Sequence, residues 1–488
     1  MTNETFSDRL KLAMQAKQFK QVDLIRAAQR RGVKLGKSHV SQYVSGKTVP
    51  RSDILHFLAD VLQVDPDWLL AKDSTVNYTA DTVSDSTESC SDPSAASLSQ
   101  TKTGGSPMRE FKKSSKLDNV LYDVRGPVVE EANRMEACGT QVLKLNIGNP
   151  APFGFRTPDE VIYDMSHQLT DCEGYSPSQG LFSARKAIMQ YAQLKKLPNV
   201  SIDDIYTGNG VSELINLCMS ALLDDGDEIL IPSPDYPLWT ACATLAGGKA
   251  VHYLCDEQAD WYPDLADIRK KITRHTKAIV IINPNNPTGA IMTKEDLEPI
   301  ANILKGTNIA VLTDEIYSEL TYGRKHCSIV QIEGMQERTI LINGFSKAFA
   351  MTGWRLGYLA APSPIVNQVL KIHQYAIMCS PTISQYAAIE ALQNCEREVK
   401  KMVAEYNIRR RLLVESFNKM GLTCFNPEGA FYVFPCIKST GLTSEQFCEQ
   451  LLENQKVAVV PGNAFGQSGE GFIRVSYAYS LKHLMEAL

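Results

Sequence analysis

One stretch, Asn343-Gly344-Phe345-Ser346-Lys347-Ala348-Phe349-Ala350-Met351-Thr352-Gly353-Trp354-Arg355, sets a candidate nucleophile shortly before a permanent cation. A lysine amine is inert while protonated, and becomes a Schiff-base nucleophile only when cationic neighbours, burial or the imine itself lower its pKa. Arg355 has the donor geometry to clamp a phosphate. Alone, the pair reads equally as a solvated lysine and a structural arginine flanking an apolar turn. Two upstream segments add weight. Asn283-Pro284-Asn285-Asn286-Pro287-Thr288-Gly289 offers an amide on a loop stiffened by proline, where Asn also serves plain turn geometry. Asp314-Glu315-Ile316-Tyr317 brings a carboxylate and a phenol together. A buried Asp needs a partner, and a protonated ring nitrogen is one; capping the next helix is the other use.

These residues need elements that deliver them to one place. Each follows an apolar run that reads as a strand, residues 278–282 before the Asn-Pro loop and 309–313 before Asp314, with residues 228–231 a third. Strands alternating with helical patterns imply a mainly parallel, three-layer α/β/α domain, and open α/β sheets bind ligands outside the carboxyl ends of their strands. Loop, acid and lysine therefore arrive in consecutive βα units at one edge. Thr207-Gly208-Asn209-Gly210-Val211-Ser212-Glu213 precedes a helical pattern, so the backbone N–H groups of Gly210 and Val211, with Ser212, can hold a phosphate at a helix N-terminus.

The chain of 488 residues is 44% hydrophobic and 22% charged, with a net charge of -5, which fits a multidomain globular protein and argues against polyanion binding by the whole molecule. Charge is unevenly placed. Residues 1–72 carry a net +5 and residues 73–106 a net -4. The twelve cysteines are scattered without a Cys-x-x-Cys pair, so neither a metal site nor a disulfide framework is expected. The opening MTNETFSDRL lacks an apolar signal core and no run is long enough to cross a membrane, which predicts a cytoplasmic protein. Fifteen Ser/Thr in residues 73–106 and few large apolar groups predict a flexible linker, extended to residue 113.

Within residues 1–72 the apolar spacing predicts four or five short helices. Residues 37–50 open on Ser38 as a cap and stop at Gly46 and Pro50. The exposed face of that helix carries Ser38, His39, Gln42 and Ser45, which can reach base edges, with Lys37 and Lys47 placed for phosphates. The module resembles the Cro/CI-type helix-turn-helix family, with residues 29–36 lengthening the usual turn, and the resemblance implies a DNA partner. A helical docking or dimerisation module is the alternative.

Residues 114–488 resemble the fold type I, class I/II pyridoxal-phosphate-dependent aminotransferases. The resemblance implies a large domain over about 166–379 and a smaller α+β domain from about 114–165 and 380–488. It implies pyridoxal 5′-phosphate as cofactor, Lys347 as the internal aldimine and the shuttle of a 1,3-proton shift, Asp314 at the pyridine nitrogen, and Tyr317 and Asn286 at the phenolic oxygen. Tyr236 matches the aromatic that stacks on the ring. Gly210, Val211, Ser212, Ser346 and Arg355 would hold the phosphate, joined by Tyr175 across a homodimer interface. Arg474 would take the substrate α-carboxylate beside Asn286 and Gly148. Gly344 departs from the pattern, because many members carry a phosphate-binding Ser three residues before the lysine. The sequence ends at Leu488 inside a helical pattern, so a short or incomplete last element is expected.

Residues 122–128 and 145–155 look most like bacterial alanine aminotransferases working between glutamate and pyruvate, which implies Tyr122 and Arg125 at the distal carboxylate of glutamate; a structural salt bridge is the plain alternative for Arg125. Two other readings stay open: a regulator that senses amino acid or cofactor with little or no turnover, and a lyase using the same cofactor.

Overall fold

The apolar runs form the core of an eight-stranded sheet. In the computed structural model, residues 5–17, 19–30, 33, 35–62, 64–70, 112–120, 126–151 and 154–488 are described. They divide into two units, Met1–Met108 and Arg109–Leu488. Tyr122, Arg125 and the predicted linker core, residues 73–106, lie outside the described residues.

In the second unit the sheet order is Ile205–Gly208, Gly357–Ala360, Thr339–Gly344, Ala310–Asp314, Thr276–Ile282, Glu228–Ser233, Lys249–Asp256 and Tyr262–Pro263. The strands from Thr339–Gly344 to Lys249–Asp256 pair in parallel. Gly357–Ala360 runs antiparallel to both its neighbours. Both faces of the sheet are covered, which is why its strands read as continuous hydrophobic runs. Ile229, Ile231, Val280, Ile282 and Ile342 pack on Leu214, Trp239 and Val366 from the helices Val211–Leu222, Leu238–Leu245 and Ser363–Ala376. The alternate residues Leu230, Ile279, Ile281 and Val311 face Leu297, Ile300 and Leu304 of the helix Lys294–Leu304 on the other side. Helix, sheet and helix are the three predicted layers.

A smaller core joins distant parts of the chain. Val128, Leu143 and Leu145 pack with Leu413, Phe417, Phe431, Val433, Ile473, Val475 and Leu484. Here Leu143–Lys144 pairs in parallel with Val457–Ala458, and Ile473–Ser476 lies between Tyr432–Val433 and Val460–Pro461.

The first unit holds the helices Phe6–Ala16, Gln21–Arg30, Lys37–Val44, Ser52–Leu62 and Pro66–Leu69, packed around Phe6, Leu10, Leu24, Val40, Leu58 and Leu62. Ser38 is not the cap of the third helix. The cap stands two residues earlier, at Gly36, whose backbone is extended and whose N–H donates to His39 Nδ1 at 3.4 Å. His39, at the third helical position, thus accepts from the N-cap N–H, the reciprocal half of a capping box, while glycine has no side chain to supply the other half. Lys37, Ser38, His39, Gln42, Ser45 and Lys47 are all exposed, and Val40 turns inward.

Gly344 is explained by the strand beside it. It pairs with Gly357, and a Cβ on Gly344 would lie 3.1 Å from both Gly357 Cα and the Leu356 carbonyl. Backbone cannot yield as a flexible side chain does. Gly344→Ser is therefore expected to cost about 1–3 kcal/mol, the usual penalty of overpacking, instead of adding a phosphate contact. Urea unfolding of the cofactor-free protein checks this, and an unchanged midpoint would contradict it.

Candidate active site

Five strand ends and one strand start meet at a single edge. Thr276–Ile282, Ala310–Asp314 and Thr339–Gly344 run the same way, so Asn286, Asp314 and Lys347 emerge together. Glu228–Ser233 brings Tyr236 to the same edge. Ile205–Gly208 is antiparallel to Gly357–Ala360, itself antiparallel to Thr339–Gly344, so residues 208–210 also leave at this edge. Gly357–Ala360 starts where its neighbours finish, which returns Arg355 to the site from the opposite direction.

The edge opens into a cavity of about 620 Å³ lined by Gly148, Val211, Ser212, Tyr236, Asn286, Asp314, Tyr317, Ser346, Lys347, Arg355 and Arg474 among others. Gly210 adjoins it, its φ of +83° available to glycine without strain, and a Cβ there would sit 2.8 Å from Arg355 Nη2. Tyr175 is not in the wall; it stands 85% exposed on the surface.

Lys347 Nζ donates to the Gly148 carbonyl at 2.8 Å. Burial lowers its pKa to about 8, and the cations Arg474 and Arg355 act in the same direction against Asp314. Asp314 is buried, which pushes its carboxyl up to about 6, although the Ile316 N–H donates to Oδ1 at 3.2 Å. Tyr317 is buried with its hydroxyl 3.1 Å from that of Tyr432. Arg474, 3% exposed, donates through Nη1 to Asn286 Oδ1 at 2.9 Å and through Nη2 to the Asn146 carbonyl at 3.0 Å. Its Nε is buried with no hydrogen-bond partner. Because Asn286 Oδ1 accepts from Arg474, the amide Nδ2 is the group left to donate. Arg355 donates to the carbonyls of Thr352 at 3.2 Å and Asn209 at 3.4 Å. Its left-handed backbone, φ +52°, costs about 1–2 kcal/mol in a non-glycine residue. Three cations facing one carboxylate make a cavity that attracts anions.

Residues 140–488 match the family described as aminotransferase class I and II. The chain belongs to that family. The aminotransferase is 44% identical over 398 residues to the glutamate-pyruvate aminotransferase AlaA of Haemophilus influenzae, covering 78% of this chain and 97% of that one. It is 45% identical over 370 residues to AlaA of Escherichia coli K12, covering 73% and 91%. Among solved structures, an aminotransferase from Escherichia coli superposes with a TM-score of 0.74 at 42% identity, covering 78% of this chain and 96% of that one.

The family uses pyridoxal 5′-phosphate, and the aminotransferase has the groups to receive it. Gly210 leaves beside the Arg355 guanidinium a space that a Cβ would fill, Asp314 is a buried carboxyl in the cavity wall, and Arg474 keeps an unused Nε–H. Tyr432 was not legible as a site residue. Its hydroxyl meets Tyr317, and the Arg474 guanidinium lies 4.3 Å over its ring. In the sequence it is one aromatic in Ala430-Phe431-Tyr432-Val433-Phe434, a run that reads only as strand core. Asn146, in the cavity wall with its Oδ1 unpartnered, was likewise missed.

The lowered pKa of Lys347 has a direct readout. Its amine is unprotonated above about pH 8, so reductive methylation of Lys347 in the cofactor-free protein should rise with pH and level near that value. Ordinary lysines continue to climb. Arg474→Leu removes a cation and should move the plateau to higher pH; a Lys347 profile coinciding with that of the bulk lysines would contradict the assignment.

Proposed function

We propose that the chain transfers an amino group between alanine and 2-oxoglutarate, forming pyruvate and glutamate, and that residues 1–72 form a Cro/CI-type helix-turn-helix domain that binds DNA. The observation that carries the first part is the meeting of Lys347, Asp314 and Arg474 in one cavity, in a chain 44% identical to a glutamate-pyruvate aminotransferase. Bound pyridoxal phosphate supplies an electron sink for the pair released when Cα loses its proton. In this reading Asp314 keeps the ring nitrogen protonated. Tyr317 and Asn286 Nδ2 donate to the phenolic oxygen, and Tyr236 covers the ring face. The amides of Gly210 and Val211, with Ser212, Ser346 and Arg355, hold the phosphate. Tyr175, exposed on this protomer, would serve the phosphate site of a second copy, so the working form is a homodimer. Arg474 takes the α-carboxylate, a bidentate task for a planar guanidinium, with Asn286 and Gly148 beside it. Lys347 Nζ then removes and returns the Cα proton.

Tyr122 and Arg125 are the proposed partners of the distal carboxylate of glutamate. The second unit divides into a large part over about 166–379 and a small part from about 114–165 and 380–488, and residues 73–113 form the linker that follows the module of residues 1–72. No helix of the described residues is long and apolar enough to cross a membrane, and we place the protein in the cytoplasm.

Coupled measurement of pyruvate from alanine and 2-oxoglutarate tests the reaction. Arg125→Ala is expected to raise KM for glutamate on the order of tenfold or more, as loss of a charge-assisted bond implies, and to spare alanine. Unaltered kinetics with both would reject Arg125, and no turnover by the unmodified enzyme would reject the reaction.

DNA binding rests on the exposed row Ser38, His39, Gln42 and Ser45 flanked by Lys37 and Lys47, within residues 1–72 of net +5. Mobility shifts of the full-length chain should weaken steeply with salt, and Lys47→Ala should lower the slope of log affinity against log salt by about one. Binding that ignores salt, or no shift at all, would overturn this part.

A further inference from the structure

The turn at residues 208–210 is tied down on both sides of one residue, Asn209. The Asn209 N–H donates to Glu213 Oε2 at 2.6 Å, and the Asn209 carbonyl accepts from Arg355 Nη2 at 3.4 Å. Gly210 N–H closes on the Gly208 carbonyl at 2.8 Å. A Cβ on Gly208 would fall 2.6 Å from Leu214 and 3.1 Å from Glu213 Oε2, so carboxylate and turn are packed against each other. The first-turn amides of Val211–Leu222 have no acceptor within their own helix and face the cavity, where Val211 and Ser212 form part of the wall.

Behind Glu213 stands His373, fully buried in Ser363–Ala376. Its Nε2 lies 3.9 Å from Glu213 Oε2, neither ring nitrogen has a hydrogen-bond partner, and the Tyr206 ring meets it edge-on at 4.9 Å. Burial lowers the imidazole to about 4, so it is neutral at ordinary pH. A neutral ring protonated on Nε2 presents a donor to the carboxylate without adding a charge that would compete with Arg355.

We propose that Glu213, backed by His373, is a positioning residue for the phosphate site: its carboxylate fixes the Asn209 backbone so that the amides after it and Arg355 converge on one phosphate. The proposal rests on the reading that this turn holds the cofactor's phosphate. Glu213 touches no ligand itself; it acts through Asn209.

The test uses the full-length protein stripped of cofactor and measures the affinity of pyridoxal phosphate, of inorganic phosphate by competition, and of pyridoxal, which has the ring and no phosphate. Glu213→Ala should weaken pyridoxal phosphate and inorganic phosphate by roughly tenfold, as loss of one charge-assisted hydrogen bond implies, and leave pyridoxal unchanged. Glu213→Gln keeps an amide oxygen for the Asn209 N–H and should restore most of the affinity. His373→Leu should shift the two phosphate ligands in the same selective way, by less, and carries the test if Glu213→Ala fails to fold. Equal loss for pyridoxal, no loss for either phosphate ligand, or a Gln variant as weak as Ala would each overturn the proposal. If inorganic phosphate fails to compete even in the unmodified protein, the reading of the turn as the phosphate site falls instead.

Discussion

A lysine serves as a nucleophile near neutral pH only where its charge is costly, and the second unit is arranged around that requirement. Lys347 sits in the wall of a cavity whose other cations, Arg474 and Arg355, oppose its protonation, with Asp314 as the counterweight. The same arrangement perturbs Asp314 in the opposite sense, because burial raises a carboxyl as it lowers an amine. A group that titrates near neutrality is wasted in a structural ion pair and useful to chemistry that moves protons. The neutral amine then needs an acceptor to orient it, and the Gly148 carbonyl supplies one.

Bringing four charges to one place is a problem of topology. Parallel strands carry Asp314 and Lys347 outward side by side; a further parallel strand would have left Arg355 at the far edge. Reversing Gly357–Ala360 solves this, and Gly344 pairs with Gly357 where the reversed strand starts. The Arg355 backbone accepts a left-handed conformation at the start of that strand. Strain of this kind is kept where the surrounding structure fixes it.

Much of this was readable from the sequence. The strands before Asn286 and Asp314 announced themselves as β-branched runs, and the strand-end rule then assigned their side chains to one edge. The hidden parts were those whose signal is not local. Tyr432 reaches the cavity from the smaller core, in a strand that carries no motif, and Asn146 stands in a stretch whose resemblance pointed to Gly148 instead. Glu213 looked like any acid in a first helical turn, and His373 like any histidine on an apolar helix face; only their separation of 3.9 Å makes them a pair. In the first unit, spacing found the helices but set the third helix's cap at Ser38, because a glycine followed by a histidine at N3 is a weaker cue than a serine.

Gly148 bears on how this site can change over time. A Cβ there would stand 2.0 Å from the Tyr432 hydroxyl and 3.0 Å from its ring carbon. A side chain at 148 has to displace the buried tyrosine, whereas the tyrosine can shrink while the glycine remains. The two positions are therefore coupled in an uneven way: a larger residue at 148 is accommodated most directly after a smaller one at 432, and that route passes through the loss of the Tyr317–Tyr432 contact.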